Sequence, residues 1–245
     1  FMSSSLPESL PVNRGVDRGW SKNFDWMLNN TINWEHTFAE RHRVNLTLVQ
    51  EAEDHRYWSD VTNARNILPS DALGFHNTQN ATKENSSFST NDTHFTADGL
   101  LARVFYAYDN KYMLTASVRR DGYSAFGQNN PYAVFPMVAG SWVFTKEKFF
   151  KWNVMSSGKL RVSWGKNGNR SLGDPYVSLA NLGSGLGSTM GYIVGSGMEE
   201  VKYLLVDRMA NPGLQWEKTA ATNIGLDFGF LNERLSGTLE FYSMT

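Results

Sequence analysis

Paired acidic side chains are the first feature of this sequence that could carry out chemistry. Asp227 and Glu240 fall in two neighbouring extended segments, and Asp121 lies two residues from Arg119. Two facing carboxylates can serve as acid and base, or acid and nucleophile, in glycoside hydrolysis. These side chains, however, occupy the polar positions of alternating segments, where charged groups commonly meet water. We therefore expect no catalytic residue and no enzyme.

Two further patterns could bind a ligand. The run LGSGLGSTMGYIVGSG, which begins at Leu182, is rich in glycine but lacks the Lys-Ser/Thr ending of a phosphate-binding loop, so a flexible loop explains it better. The five histidines, at positions 36, 42, 55, 76 and 94, show no metal-ligand spacing. We expect neither a metal nor another cofactor.

Composition excludes several classes of protein. The 245 residues include 23 Lys and Arg against 24 Asp and Glu, so the net charge of −1 does not favour a nucleic-acid partner. The absence of cysteine excludes a disulfide scaffold. No apolar run approaches the roughly 18 residues of a transmembrane helix. A β-barrel in a membrane stays possible, because its strands alternate.

A β-hairpin must position the charged side chains around Arg119. It spans Leu100–Gly127, LLARVFYAYDNKYMLTASVRRDGYSAFG, and turns at Asp109–Lys111. Side chains alternate between the faces of a strand, so one face is apolar and the other polar. The apolar face carries Leu100, Ala102, Val104, Tyr106, Tyr108, Tyr112, Leu114, Ala116 and Val118. The polar face of the second arm carries Thr115, Ser117, Arg119 and Asp121.

The same construction recurs three times, which predicts about eight strands in four hairpins. The other hairpins are Phe24–Phe38 with Val44–Leu48, Phe135–Thr145 with Leu160–Trp164, and Trp216–Tyr242. The stretch Lys146–Gly158 breaks the third hairpin, with room for one helical turn. Long loops are predicted over Glu51–Asp98, with a short helix over Trp58–Leu68 ended by Pro69, and over Lys166–Gly213.

The alternation of short turns with long loops separates two candidate architectures. Outer-membrane barrels have tight turns on one side, long loops on the other, and aromatic residues at the membrane boundaries. Here aromatic side chains gather near every tight turn, and the strand arms have about the 9–11 residues that cross a bilayer. The alternative is a secreted or cell-surface β-sandwich that binds carbohydrate or mediates adhesion, but a sandwich favours tight turns at both ends.

Three blocks of sequence carry a family resemblance. They are the hairpin from Leu100, KLRVSWGKNGN from Lys159, and NPGLQWEKTAATNIGLDFGFLNERLSGTLEFY from Asn211. In order and spacing they resemble the SusC/RagA-type TonB-dependent outer-membrane transporters of Bacteroidota. The resemblance implies an all-β, antiparallel, up-and-down transmembrane barrel of 22 strands closed by an N-terminal plug. Residues 1–245 would then be a partial barrel domain, a wall of about eight strands without the plug.

The resemblance also implies a function and partners. Such proteins import a large nutrient, an oligosaccharide (glycan) or a peptide, across the bacterial outer membrane. They work with a SusD-like surface lipoprotein and with the TonB complex, and their barrels contact outer-membrane lipid. No motif fixes the residues that bind the nutrient.

The alternation of side chains along each strand and the family resemblance together predict where each candidate residue lies in the barrel. Lumen-lining positions are Arg103, Thr115, Ser117, Arg119, Asp121, Arg161, Asp227 and Glu240. Lipid-facing positions are Val104, Leu114, Val118, Val162, Leu226 and Leu239. Interfacial aromatics are Trp34, Tyr106, Tyr108, Tyr112, Phe144, Phe228 and Phe230. Loop aromatics that could contact the nutrient, or instead pack locally or against the lipoprotein, are Tyr57, Trp58, Phe75, Tyr192 and Tyr203.

Overall fold

The structure is a computed structural model that describes residues 15–67, 78, 81, 86–184, 192–194, 199–201 and 204–245. Twelve β-strands form among these residues, and a short 3-10 helix occupies Phe144–Lys146. The strands are β1 (Gly15–Phe38), β2 (His42–Arg65), β3 (Ser87–Tyr108), β4 (Tyr112–Tyr123), β5 (Tyr132–Trp142), β6 (Met155–Asn169), β7 (Asn181–Ser184), β8 (Tyr192–Val194), β9 (Glu199–Val201), β10 (Leu204–Arg208), β11 (Glu217–Phe230) and β12 (Leu235–Met244).

Eight of the strands form one sheet in the order β1-β2-β3-β4-β5-β6-β11-β12. Strands that follow one another in the chain are neighbours, except that β7 to β10 intervene between β6 and β11. Those four pair separately, β7 with β10 and β8 with β9. The pairings whose register is described are antiparallel. The prediction of about eight strands in four hairpins is therefore confirmed.

The described residues divide into two compact units. One contains residues 15–26 and the described part of 54–95, which include the first part of β1 and the last part of β2. Its polar side chains pair with one another: Arg65 contacts Asp17 at 2.6 Å, and His55 contacts Asp25 at 3.1 Å. The other unit contains residues 27–53 and the described part of 96–245. The charge networks and the cavity described below lie within this second unit.

Two strands of the sheet extend into the segment that was predicted to be the first long loop. Strand β2 continues to Arg65, so the prediction of a loop from Glu51 and of a helix over Trp58–Leu68 is wrong. Strand β3 begins at Ser87, well before the predicted end of that loop at Asp98. The period-two signal disappears in these segments because polar side chains occupy both faces.

Smaller differences concern the ends of other elements. Strand β1 begins at Gly15 rather than Phe24, and β5 ends at Trp142 rather than Thr145. The predicted helical turn exists, but it lies at Phe144–Lys146, at the start of the connection. Strand β6 continues to Asn169, so the second long loop is shorter than predicted.

Tight turns join the strands at one end of the sheet, here called the turn end. Non-glycine residues with positive φ form them: Ala39, Glu40, Asp109, Asn110, Leu231, Asn232 and Glu233. Backbone hydrogen bonds also link successive turns. Asp109 donates to the carbonyl of Arg41 at 2.8 Å, and Val143 donates to that of Lys111 at 2.8 Å. The turns therefore form a continuous hydrogen-bonded rim.

The opposite end of the sheet, the loop end, contains a small buried apolar cluster. Trp216 stacks on Phe126 with ring centroids 4.7 Å apart and meets the edge of Phe135 at 5.6 Å. The loop after β4 pairs with the segment before β11, because the Gly127 amide donates to the Leu214 carbonyl at 3.1 Å. A side chain at Gly127 would lie 2.2 Å from a backbone oxygen, so only glycine fits there.

The two faces of the sheet differ in exposure in an unusual direction. In β4, Leu114 is 51% exposed and Val118 is 45% exposed, whereas the polar residues between them, Thr115 and Ser117, are half-buried. Strand β6 alternates in the same way. A protein folded in water normally buries its apolar face instead.

None of the helices formed by the described residues has the length and apolar character that a membrane-crossing helix needs.

Candidate functional site

One face of the sheet collects the charged side chains, and strand register shows that they share it. Arg103 lies opposite Ser117 on β4, and Ser117 lies opposite Met137 on β5. Farther along, Ser141 lies opposite Arg161 on β6. The same register places Asp227 and Glu240 on this side. We call it the polar face, and it contains all eight positions predicted to line a lumen: Arg103, Thr115, Ser117, Arg119, Asp121, Arg161, Asp227 and Glu240.

Five charged residues form a network near the loop end of the polar face. Arg119 Nε donates to both carboxylate oxygens of Asp121, at 2.7 and 2.9 Å, and its Nη2 donates to Glu51 at 2.5 Å. Arg170 Nη1 donates to Glu53. We call Glu51, Glu53, Arg119, Asp121 and Arg170 the charge cluster. Its three carboxylates exceed its two guanidiniums, which leaves one net negative charge.

A cavity of about 310 Å³ opens among these side chains. Met27, Gly99 and Gly122 add to its lining, and Trp216 forms part of its wall. Trp216 is only 7% exposed, yet its indole Nε1–H has no hydrogen-bond acceptor among the described residues. A buried, unpaired donor costs about 1–3 kcal/mol. The Trp216 ring closes one side of the cavity, while its N–H is enclosed by protein.

A second network lies farther along the polar face. Arg161 forms a two-point contact with Asp227, at 2.8 and 2.9 Å, and also donates to Glu240 at 2.8 Å. Thr238 donates to Asp227 at 2.9 Å. The paired carboxylates noted in the sequence are thus each bound to one arginine, which places them in an ion-pair network rather than opposite a reacting group. Gly225 leaves room for the guanidinium.

A carboxylate at the turn end is fully paired. Glu147 accepts hydrogen bonds from the Tyr112 hydroxyl, from Trp142 Nε1 at 3.1 Å and from Lys111 Nζ at 3.2 Å. The hydrogen bond from Tyr112 is the main cause that holds the pKa of Glu147 below its ordinary value. In turn, Glu147 raises the pKa of Lys111. This arrangement ties the β3–β4 turn to the β5–β6 connection.

The opposite side, the apolar face, carries the predicted lipid-facing residues. Register places Val104, Leu114, Val118, Val162, Leu226 and Leu239 together on it. All of these side chains are exposed except Leu226, which is half-buried. Of the aromatics predicted at the interface, Trp34 and Tyr112 are exposed. The other five are half-buried near the turn end: Tyr106, Tyr108, Phe144, Phe228 and Phe230.

Of the aromatics predicted to contact the nutrient, the structure describes the side chains of Tyr57 and Trp58. Tyr57 and Trp58 lie within strand β2 and not in a loop, and Lys22 Nζ lies 5.8 Å from the Trp58 ring. The positions of Phe75 and Tyr203, and the side chain of Tyr192, lie outside the described residues.

Sequence reasoning missed four residues of the loop-end site: Glu51, Glu53, Arg170 and Trp216. The run Glu51-Ala52-Glu53 has the period of a strand and could have been recognised as part of one face, had the strand been extended past Gln50. Arg170 directly follows β6. No local pattern marks Trp216, because its role depends on the packing of distant loops. Within the described part of the chain, no group of three or more His, Cys, Asp and Glu side chains is arranged to hold a metal ion.

Comparison with known proteins gives a consistent result. A family model described as "TonB dependent receptor-like, beta-barrel" matches residues 5–245. TonB-dependent receptor P26 of Formosa agariphila is 29% identical over 253 residues, which covers 99% of this chain and 24% of the receptor. TonB-dependent receptor SusC of Bacteroides thetaiotaomicron is 34% identical over 169 residues, 65% of this chain and 15% of SusC.

Solved structures agree with the sequence matches. The structure of the RagAB peptide transporter superposes with a TM-score of 0.74 at 26% identity, over 92% of this chain and 24% of the matched chain. A RagAB peptide importer in an open-open state gives a TM-score of 0.79 at 23% identity, a likeness of fold. The chain therefore spans about a quarter or less of the length of the relatives it matches.

Proposed function

Because the chain belongs to the TonB-dependent receptor-like β-barrel family, we propose that it forms part of the wall of an outer-membrane importer for a large nutrient. The family is one of transport receptors of the outer membrane, and the antiparallel sheet has their barrel fold. Residues 1–245 contribute barrel wall. Strands β1 and β12, which stand at the two ends of the sheet, pair with further strands in the closed barrel.

The observation that carries this proposal is the exposure of the apolar face. Burying one Leu or Val side chain is worth about 1.5–3 kcal/mol in water, and this face leaves many of them uncovered. Lipid removes that cost, because its hydrocarbon is as apolar as the side chains. A β-sandwich would cover the face with a second sheet about 10 Å away. Among the described residues, no second sheet shelters Leu114, Val118 or Val162.

The polar face then lines the hydrated lumen, and the charge cluster is the proposed point of contact with the nutrient. Its carboxylates accept hydrogen bonds and its guanidiniums donate them, while Trp216 adds an aromatic surface to the cavity. Oligosaccharide hydroxyls and peptide groups both present donors and acceptors to such a site. A peptide is supported by the name of the RagAB peptide transporter, and an oligosaccharide by the resemblance described above.

The importer works with two partners in this proposal. A SusD-like surface lipoprotein captures the nutrient above the loop end, and the TonB complex supplies energy through a plug that lies outside this stretch of sequence. The support for both partners is the similarity to SusC and to RagAB. The proposal involves no covalent chemistry.

Charge substitution on the two faces tests the proposal. In the full natural protein, Leu114→Arg is expected to cost about 2–4 kcal/mol and to reduce folded protein in the outer membrane, because a charge would enter hydrocarbon. Thr115→Arg is the matched control on the neighbouring residue, and it should assemble at nearly normal levels. Heat-modifiable migration in gels and surface proteolysis report the folded fraction. Equal tolerance of arginine at both positions would refute a lipid-facing wall.

A further inference from the structure

The two arginines of the charge cluster are held in different ways. Arg119 belongs to strand β4 and donates three hydrogen bonds, two to Asp121 and one to Glu51. Its guanidinium crosses the neighbouring strand β3 at Gly99, where a Cβ atom would lie 2.8 Å from Arg119 Nη2. Two carboxylates and the space left by a glycine therefore fix Arg119 against the wall.

Arg170 is held by a single carboxylate. It directly follows strand β6, and among the described residues its guanidinium donates to Glu53 alone. The Tyr123 ring lies 5.7 Å from the guanidinium, a cation–π contact that is weak at an exposed site. Nearly half of the Arg170 side chain, 49%, is exposed, whereas Glu53 is only 11% exposed. Arg170 is therefore the loosely held arginine of the charge cluster.

The ion pair of Arg170 with Glu53, here called the latch pair, joins distant parts of the sheet. Glu53 lies on β2 and Arg170 follows β6, and strands β3, β4 and β5 stand between β2 and β6. The intervening strands also line the cavity, β3 with Gly99 and β4 with Gly122. The latch pair therefore passes across the cavity and narrows it while the pair is formed.

The backbone on either side of Arg170 is held in place. Asn169 ends β6 and pairs with Glu217 on β11, and its side-chain oxygen accepts from the Ser171 amide at 3.0 Å. Leu172 packs against the buried apolar cluster at the loop end. Rotation of the Arg170 side chain is therefore enough to open the latch pair, and the loop does not have to move. Exposed side chains change rotamer within picoseconds to nanoseconds.

We propose that Arg170 and Glu53 form a latch on the cavity, which opens by rotation of the Arg170 side chain to admit the nutrient. The inference rests on the proposed function, because it takes the cavity as the point of contact with the nutrient. Solvent screens the pair at the half-exposed Arg170, so opening should be unfavourable by only about fivefold. The released guanidinium can donate to oxygens of the nutrient, whereas Arg119 stays bound to its two carboxylates.

Labelling of one cysteine inside the cavity tests the latch. Ala97 lines the cavity, and the chain contains no cysteine, so Ala97→Cys places a unique thiol there. The full natural protein, with no other cysteine, is purified in mild detergent and treated with N-ethylmaleimide, a small uncharged reagent. Adding Arg170→Gln is expected to speed the labelling about fivefold, because the cavity stays open. Loss of a nearby positive charge disfavours the reactive thiolate, so a faster reaction reports access to the cavity.

Two comparisons assign the effect to the latch pair. Glu53→Gln should speed labelling as Arg170→Gln does, and the two changes together should add nothing, because either one breaks the same contact. Salt at about 1 M should speed the labelling of Ala97→Cys but not that of the variant that also carries Arg170→Gln, since salt screens the pair. If Glu53→Gln does not assemble, the salt dependence decides, together with Arg170→Lys, which keeps the charge and should label slowly.

Matched controls exclude a general loosening of the wall. Arg103→Gln removes a guanidinium that contacts Thr47 on the same face, and it should leave the labelling of Ala97→Cys unchanged. Ser141→Cys places a thiol opposite Arg161, farther along the polar face, and Arg170→Gln should not alter its labelling.

Three outcomes would overturn the inference. They are equal labelling of Ala97→Cys with and without Arg170→Gln, an equal acceleration by Arg103→Gln, and additive effects of Glu53→Gln and Arg170→Gln. Failure of the proposed function looks different. In that case Leu114→Arg would assemble as well as Thr115→Arg does, and the labelling pattern would stay as described.

Discussion

At the turn end of the sheet, Glu147 accepts hydrogen bonds from three donors, and main-chain hydrogen bonds link successive turns. At the loop end, the charge cluster surrounds a cavity, and the Trp216 N–H has no acceptor among the described residues. Both ends use buried or half-buried polar groups next to aromatic rings. They differ in whether all of those polar groups have hydrogen-bond partners among the described residues. The hydrogen bonds to Glu147 stabilise one structure, whereas the charge cluster borders a cavity that has room for a ligand.

The largest expected effect comes from closing the space between two loops at the loop end. Gly127→Ala would place a Cβ atom 2.2 Å from the Pro212 carbonyl oxygen, so one backbone must move. Overpacking of this kind costs about 1–3 kcal/mol. Gly213→Ala is the control, because the nearest atom to its Cβ lies 3.6 Å away. Urea unfolding of both variants in detergent measures the difference, and equal midpoints would show that the loops are not packed as described.

The same substitution, tryptophan to phenylalanine, can be made at the turn end and at the loop end to test the comparison. Trp142→Phe removes a hydrogen bond to Glu147 and should reduce stability. Trp216→Phe removes an N–H that has no acceptor. Relief of the unpaired donor, about 1–3 kcal/mol, offsets the packing lost with the smaller ring, so stability should change little.

Ligand binding should be affected by Trp216→Phe and not by Trp142→Phe, which is the reverse of their expected effects on stability. A peptide mixture or an oligosaccharide mixture that contains the nutrient should raise the melting temperature of the wild type. The shift should persist in Trp142→Phe and shrink in Trp216→Phe. If instead Trp142→Phe alone loses the shift, the nutrient binds at the turn end and the comparison is reversed.

The smallest effect is expected from the charge of Glu147. Its pKa lies below the ordinary value, so the folded state holds the carboxylate more strongly than the unfolded state does. The stability that this provides is present above the ordinary carboxyl pKa and disappears as the pH falls through the lowered pKa. Glu147→Gln should therefore differ slightly from wild type at neutral pH and become indistinguishable from it in acid. A difference that grows towards acid would contradict this sign.

Much of the sheet could be predicted from sequence because the apolar face imposes a strict period of two. The hairpin at Asp109–Lys111 was located correctly for this reason. Where both faces of a strand are polar, as in β2 beyond Glu51, the period disappears and the strand was mistaken for a loop. The cavity depended on contacts between residues far apart in the chain, such as Arg119 with Glu51, which no local pattern encodes.

The central claim is that one face of this sheet meets lipid and the other meets water. The chain contains no cysteine, so single cysteines can report on each face. Ser117→Cys and Val118→Cys, introduced separately into the full natural protein with no other cysteine, are exposed to a membrane-impermeant maleimide in outer membranes. We predict labelling of Ser117→Cys and protection of Val118→Cys, with both labelled after denaturation. Rapid labelling of Val118→Cys together with protection of Ser117→Cys would contradict the account.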